Sequence, residues 1–101
     1  MLEELNQEYE IICYERDLKT LMGPESLRKV HPLGKSPVIT DDGSGEQILI
    51  AESGAIIEYL MQTYGKKSPL ITPETGSHEE RDYRYWLHFS EGSLMPPLLL
   101  R

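Results

Sequence analysis

A strong turn signal, Asp41-Asp42-Gly43-Ser44-Gly45, lies between two short runs rich in β-branched and aliphatic residues, Val38-Ile39-Thr40 and Gln47-Ile48-Leu49-Ile50. Acid and glycine clustered between two such runs predict a β-hairpin. A helical stripe follows at once. Ile56, Ile57, Leu60, Met61 and Tyr64 recur at a spacing of three and four, so residues 53–64 are predicted to form a helix. Ser53 can cap its start, and Gly65 with Pro69 beyond it marks the end. A hairpin that runs straight into an amphipathic helix must bury one sheet face under that helix. This favours a mixed α/β layer over an all-helical or all-β fold.

Upstream, Tyr9-Glu10-Ile11-Ile12-Cys13-Tyr14-Glu15 reads as a strand with apolar residues on both faces, hence one inside a sheet. Gly23-Pro24 precedes a short predicted helix reaching about Lys29, and His31-Pro32-Leu33-Gly34 reads as a loop. Residues 1–5 read as the last turns of a helix stopped at Asn6. Residues 68–76 read as a linker. Ser77-His78-Glu79-Glu80 fits a capping box for a helix whose face carries Tyr83, Trp86, Leu87 and Phe89, kinked or ended by Pro96 and Pro97. The predicted order is strand, helix, strand, strand, helix, linker, helix: the back part of a thioredoxin-like α/β domain (1–67), then the linker, then the first helix of an all-helical region (77–101).

Composition narrows function. The 101 residues carry a net charge of -7, which disfavours nucleic acid and anionic membranes because both reward clustered Lys and Arg. The apolar run near the end is broken by Pro96 and Pro97 and is too short to span a bilayer. The one cysteine, Cys13, cannot form an internal disulfide, so a reducing cytoplasm is expected. At mid-strand Cys13 reads as a packed core residue. His31, His78 and His88 are far apart in sequence, and no metal site is expected.

Two motifs carry a resemblance. His31-Pro32-Leu33-Gly34-Lys35-Ser36-Pro37-Val38-Ile39 and Ala51-Glu52-Ser53-Gly54-Ala55-Ile56-Ile57-Glu58-Tyr59-Leu60 are similar to the Gly-Lys-x-Pro and Glu-Ser-x-Ala-Ile motifs of cytosolic glutathione transferases. The stretch Tyr85-Trp86-Leu87-His88-Phe89-Ser90-Glu91-Gly92-Ser93-Leu94-Met95-Pro96-Pro97 looks like the first helix of that family's C-terminal domain in its fungal and bacterial branches.

The resemblance implies a glutathione site on Lys35, Ser36, Glu52 and Ser53, with a cis bond before Pro37. Glutathione is the substrate, and no other cofactor is expected. On residue chemistry alone, Ser53 and Glu52 could equally be a helix cap and a surface acid, and Lys35 a solvated lysine. The implied reaction is attack of the glutathione thiolate on an electrophile in detoxification, or reduction of a peroxide, in a homodimeric cytoplasmic enzyme. A non-catalytic glutathione-binding or interaction module is the alternative. The resemblance places Met1 near the end of the family's first helix. It therefore predicts a chain lacking the first strand, most of the first helix and most of the C-terminal domain, with the catalytic residue upstream of Met1 and little activity of its own. Tyr9 and Tyr14 lie on the second strand and match no catalytic position.

Overall fold

The computed structural model describes residues 1–67 and 73–100. The elements are helix α1 (Glu25–Val30), strands β1 (Val38–Asp41) and β2 (Ile48–Ala51), helix α2 (Ser53–Tyr64) with a 3-10 turn (Gly65–Lys67), helix α3 (His78–Phe89), a π-helical segment (Ser90–Leu94) and helix α4 (Met95–Leu99). Mixed α/β architecture around a hairpin that feeds a helix is the predicted class. Part of the predicted linker, residues 68–72, lies outside the described residues. The chain divides into two compact units, Glu8–Ile56 and Met1–Gln7 with Ile57–Arg101.

In the first unit, β1 and β2 form a two-stranded antiparallel sheet with Val38 opposite Ala51 and Asp41 opposite Ile48. The turn chemistry is local. The Asp41 carboxylate accepts the Gly43 amide at 2.9 Å, the Asp42 carbonyl accepts the Gly45 amide at 3.0 Å, and Gly45 takes φ +84, which a glycine adopts without steric cost. Helix α1 follows Pro24 and buries Leu27, which is 3% exposed, while Arg28 and Lys29 face solvent near its C-terminus, where cations suit the helix dipole. Ile56 is the other buried apolar residue of this unit.

The predicted strand at residues 9–15 is corrected: it belongs to no strand of the sheet. Its residues alternate as a strand's would, but β character needs a ladder partner, and the described sheet has only two strands. The expected double coverage is absent as well. Ile11 and Ile12 are 72% and 66% exposed, and Cys13 is an exposed thiol, not a packed one. Between this segment and α1, residues 17–22 close on themselves. The Asp17 carboxylate accepts the amides of Lys19 (2.7 Å) and Thr20 (3.2 Å), and these bonds hold its pKa below the usual carboxylate range.

In the second unit Leu5, Leu60 and Met61 are buried. Residues 1–6 form hydrogen-bonded turns that end with Asn6 at φ +51, the left-handed stop expected of that asparagine. Helix α3 opens with its predicted capping box. The Ser77 hydroxyl accepts the Glu80 amide at 3.0 Å, and Glu80 turns back to accept the Gly76 amide. That bond and the Arg84 guanidinium, 3.0 Å away, lower the Glu80 pKa.

The α-helix expected to kink or end at the double proline gives way a few residues earlier. A π-helical segment intervenes at Ser90–Leu94, and Pro96 and Pro97 fall in the first turn of α4. Leu94 and Met95 are themselves in the right-handed helical region, so the prolines fall inside a continuing helical run in which the π-helical segment changes the hydrogen-bond register. Tyr85, Trp86 and Phe89 pack against one another with ring centroids 5.1 to 5.9 Å apart. Tyr85 and Trp86 remain mostly exposed, at 58% and 61%.

Two mutational outcomes follow from this packing. Leu27→Ala should cost about 2–5 kcal/mol in urea unfolding, whereas Leu18→Ala, at a side chain 90% exposed, should stay within about 0.5 kcal/mol. Among the described residues the buried Tyr83 hydroxyl has no hydrogen-bond partner, and burial together with the nearby Glu58 charge raises its pKa. Tyr83→Phe removes that orphaned group and should leave stability unchanged or raise it by up to about 1–2 kcal/mol, read as a higher urea midpoint.

Candidate functional site

The hairpin register decides which residues can act together. Val38 opens β1 and Ala51 closes β2, and the two are directly opposed. In an antiparallel pair, the residues before the first strand and after the second therefore leave from the same end. Ser36-Pro37 and Glu52-Ser53 flank this terminal rung, whose Cα atoms are separated by only about 4.5–5.5 Å. The structure brings Lys35, Ser36, Pro37, Glu52 and Ser53 to one end of one hairpin, all within the unit Glu8–Ile56.

On the β1 side, the bond between Ser36 and Pro37 is cis. The loop before it is held by contacts that sequence spacing does not display. His31 Nδ1 accepts the Leu33 amide at 3.3 Å, and the His31 carbonyl accepts the Gly34 amide at 2.9 Å. His31 thus shapes the loop. Gly34 is buried at φ +57, where an added Cβ would lie 2.6 Å from Arg28 Cγ. Gly23 approaches still more closely in backbone terms: a Cβ there would meet the Gly34 carbonyl oxygen at 2.5 Å. Two glycines therefore let loop and helix α1 close on each other and set where Lys35 emerges. Lys35, Ser36 and Pro37 are themselves exposed.

On the β2 side, one reading of the helix start is corrected. Helix α2 begins at Ser53, and the Glu52 carbonyl accepts the Ile56 amide at 2.9 Å. Glu52 is therefore the cap residue and Ser53 the first helical one, because the cap is the residue whose carbonyl takes the first helical bond. Glu52 sits at φ +76, a costly conformation for a residue with a Cβ. This tight corner swings the chain from strand to helix within one residue. The first-turn amides of α2, including those of Ser53 and Gly54, have no acceptor within the helix, and the helix dipole adds partial positive charge at this end. Chemically, this end of the hairpin offers an anion-accepting helix start, a carboxylate, an exposed backbone beside a cis proline and an ammonium group.

A hairpin entered through a cis proline and left by a helix is the arrangement of a thioredoxin-like domain, and comparison with known proteins makes the class specific. Residues 1–68 match the family model "Glutathione S-transferase, N-terminal domain". The chain is 38% identical over 102 residues to Glutathione S-transferase 1 of Saccharomyces cerevisiae, covering 99% of this chain and 42% of that protein. It is 44% identical over 97 residues to Glutathione S-transferase 3 of Schizosaccharomyces pombe, covering 95% of this chain and 36% of that protein. A third relative, at 31% over 96 residues, is the Glutathione S-transferase-like protein gedE of Aspergillus terreus. No solved structure gives a significant match. The chain belongs to the glutathione S-transferase family, and it spans about two-fifths of the length of these curated relatives. Among the described residues, no helix is long and apolar enough to cross a membrane.

The loop geometry has a direct test. Gly34→Ala must both adopt a left-handed backbone and displace Arg28, whereas Gly45→Ala has open space around the new methyl group. Both should lose about 1–2 kcal/mol from the backbone alone. Thermal or urea unfolding should show the larger loss at Gly34.

Proposed function

We propose that residues 35–53 hold glutathione, as the tripeptide-binding part of a glutathione transferase. The observation that carries this reading is the terminal Val38–Ala51 rung, which sets the cis-proline loop and the start of α2 side by side. An extended tripeptide is only about 10–11 Å long, so it spans a rung about 5 Å wide and reaches the groups on either side.

Each part of the ligand finds a partner of the required kind. The γ-glutamyl carboxylate takes the Ser53 hydroxyl and the first-turn amides, with the helix dipole in support. The Glu52 carboxylate lies next in sequence and takes the glutamyl ammonium. The cysteinyl unit pairs through its backbone with the Ser36 amide and carbonyl, as an added strand pairs with an edge. Lys35 neutralises the glycyl carboxylate. The chain's net charge of -7 does not oppose this at contact distance, because charges beyond about 8–10 Å are screened.

In the parent reaction, the thiol loses its proton, the thiolate sulfur attacks an electrophilic carbon and the leaving group departs with the bonding pair. Reduction of a peroxide by the same thiolate is a second use of the site. No residue of this chain is assigned to activate the thiol. The reading further places the enzyme in the cytoplasm, as a homodimer, with an electrophilic small molecule as co-substrate.

Calorimetry with glutathione tests the site. Ser53→Ala should weaken binding by about tenfold, the value of roughly one charge-assisted hydrogen bond, and Lys35→Ala should weaken it comparably. An unchanged affinity for Ser53→Ala would remove that residue from the site. Binding without turnover in a longer form carrying the thiol-activating residue would favour a non-catalytic module instead.

A further inference from the structure

His31 ties the loop that carries Lys35 and Ser36 to the core through three hydrogen bonds. Its amide donates to the Leu27 carbonyl at 3.0 Å, so it caps α1 at the turn that buries Leu27. Its carbonyl accepts the Gly34 amide at 2.9 Å. Its ring nitrogen Nδ1 accepts the Leu33 amide at 3.3 Å. Lys35, Ser36 and the cis bond to Pro37 follow directly.

Of these three bonds, the third alone has an acceptor that can take up a proton. A neutral imidazole accepts through one nitrogen, whereas in the protonated ring both nitrogens are donors. Protonation therefore sets a donor against the Leu33 amide, and a ring flip does not restore an acceptor. Imidazoles change charge between about pH 5 and pH 8, where backbone amides and carbonyls do not. Arg28 and Lys29 in the last turn of α1 and Lys35 in the loop flank the half-buried ring, and all three oppose a further positive charge. The acids of the flanking segments are Glu25, in the first turn of α1, and Glu10, which lines the same groove as Val30. Among the described residues the histidine paired with a carboxylate is His78, not His31.

We propose that His31 is a positioning residue whose neutral ring holds the loop in the shape that takes glutathione, so that protonating the ring releases the loop and weakens binding. This rests on the tripeptide site proposed above and adds to it a pH sensitivity that the site itself does not require. The sign follows from linkage. The binding-competent loop needs the unprotonated ring, so affinity is full above the imidazole range and is lost as pH falls through it.

The test is calorimetry with glutathione at about pH 7.5 and about pH 5.5, on the 101-residue chain, His31→Asn and His31→Leu. Asparagine carries Oδ1 as many bonds from Cα as histidine carries Nδ1, so it can accept the Leu33 amide, and it does not titrate. The unaltered chain should bind about three- to tenfold more weakly at the lower pH, the worth of one neutral hydrogen bond. His31→Asn should restore the affinity there, and His31→Leu should bind weakly at both. Without ligand, the Leu33 amide resonance should move with the His31 ring as pH changes, and should stay in place in His31→Asn. Equal pH dependence in the unaltered chain and His31→Asn would assign the loss to another group. Tighter binding at the lower pH would make His31 a direct cation for the ligand. A Leu33 resonance indifferent to pH would show that the ring does not hold the loop. Each of these overturns the proposal and leaves the tripeptide site standing. No binding by any form at the higher pH would overturn the tripeptide site, and the proposal with it.

Discussion

The pairing of Val38 with Ala51 is the constraint on which the site depends. Neither the cis-proline loop nor the start of α2 could hold a small molecule alone. One supplies backbone and an ammonium group, and the other a carboxylate and a helix N-terminus. Their usefulness comes from leaving the same end of one ladder. A slip of one residue would invert every side chain of the hairpin and move both segments out of step. The acid-and-glycine turn opposite that end, closed by Asp41 and by Gly45 at positive φ, determines the register, so a turn at one end of the hairpin sets how the groups at the other end line up.

Conformational cost accumulates around the same end. Glu52 is held at φ +76, Gly34 at φ +57, and Gly23 leaves no room for a side chain against the Gly34 carbonyl. These are the positions where the chain turns most sharply. Regular structure could not bring an ammonium group and a helix start so close to one rung. Strain is the usual result of forcing side chains to converge on one end of a ladder.

Much of this was legible in the residues themselves. The hairpin and α2 combine strong local turn chemistry with unambiguous periodicity, and their observed bounds lie within a residue or so of the reading. The capping box at Ser77 and Glu80 was legible for the same reason, since its partners are neighbours in sequence. The errors share a cause. The strand expected at residues 9–15, and the burial expected of Cys13, required partners that no local pattern reports. Pro96 and Pro97 signal a kink or an end, but the π-helical segment before them, where the α-helical register changes, leaves no signature in spacing. Ser53 read as a cap because serine favours that place, while the register put Glu52 there instead. Nothing in sequence order distinguished Gly23 and Gly34 from ordinary loop glycines, because their role rests on an approach between separated segments.

The π-helical segment at Ser90–Leu94 has a geometric consequence of its own. In an uninterrupted α-helix each residue advances about 100°, so Trp86 and Leu98 would sit about 120° apart around the axis. A π-helical insertion absorbs one residue's worth of rotation, which reduces that angle to about 20°. The indole of α3 and the first leucine of α4 are thus rephased onto one longitudinal seam, and the chain carries a longer greasy ridge than either helix could present by itself.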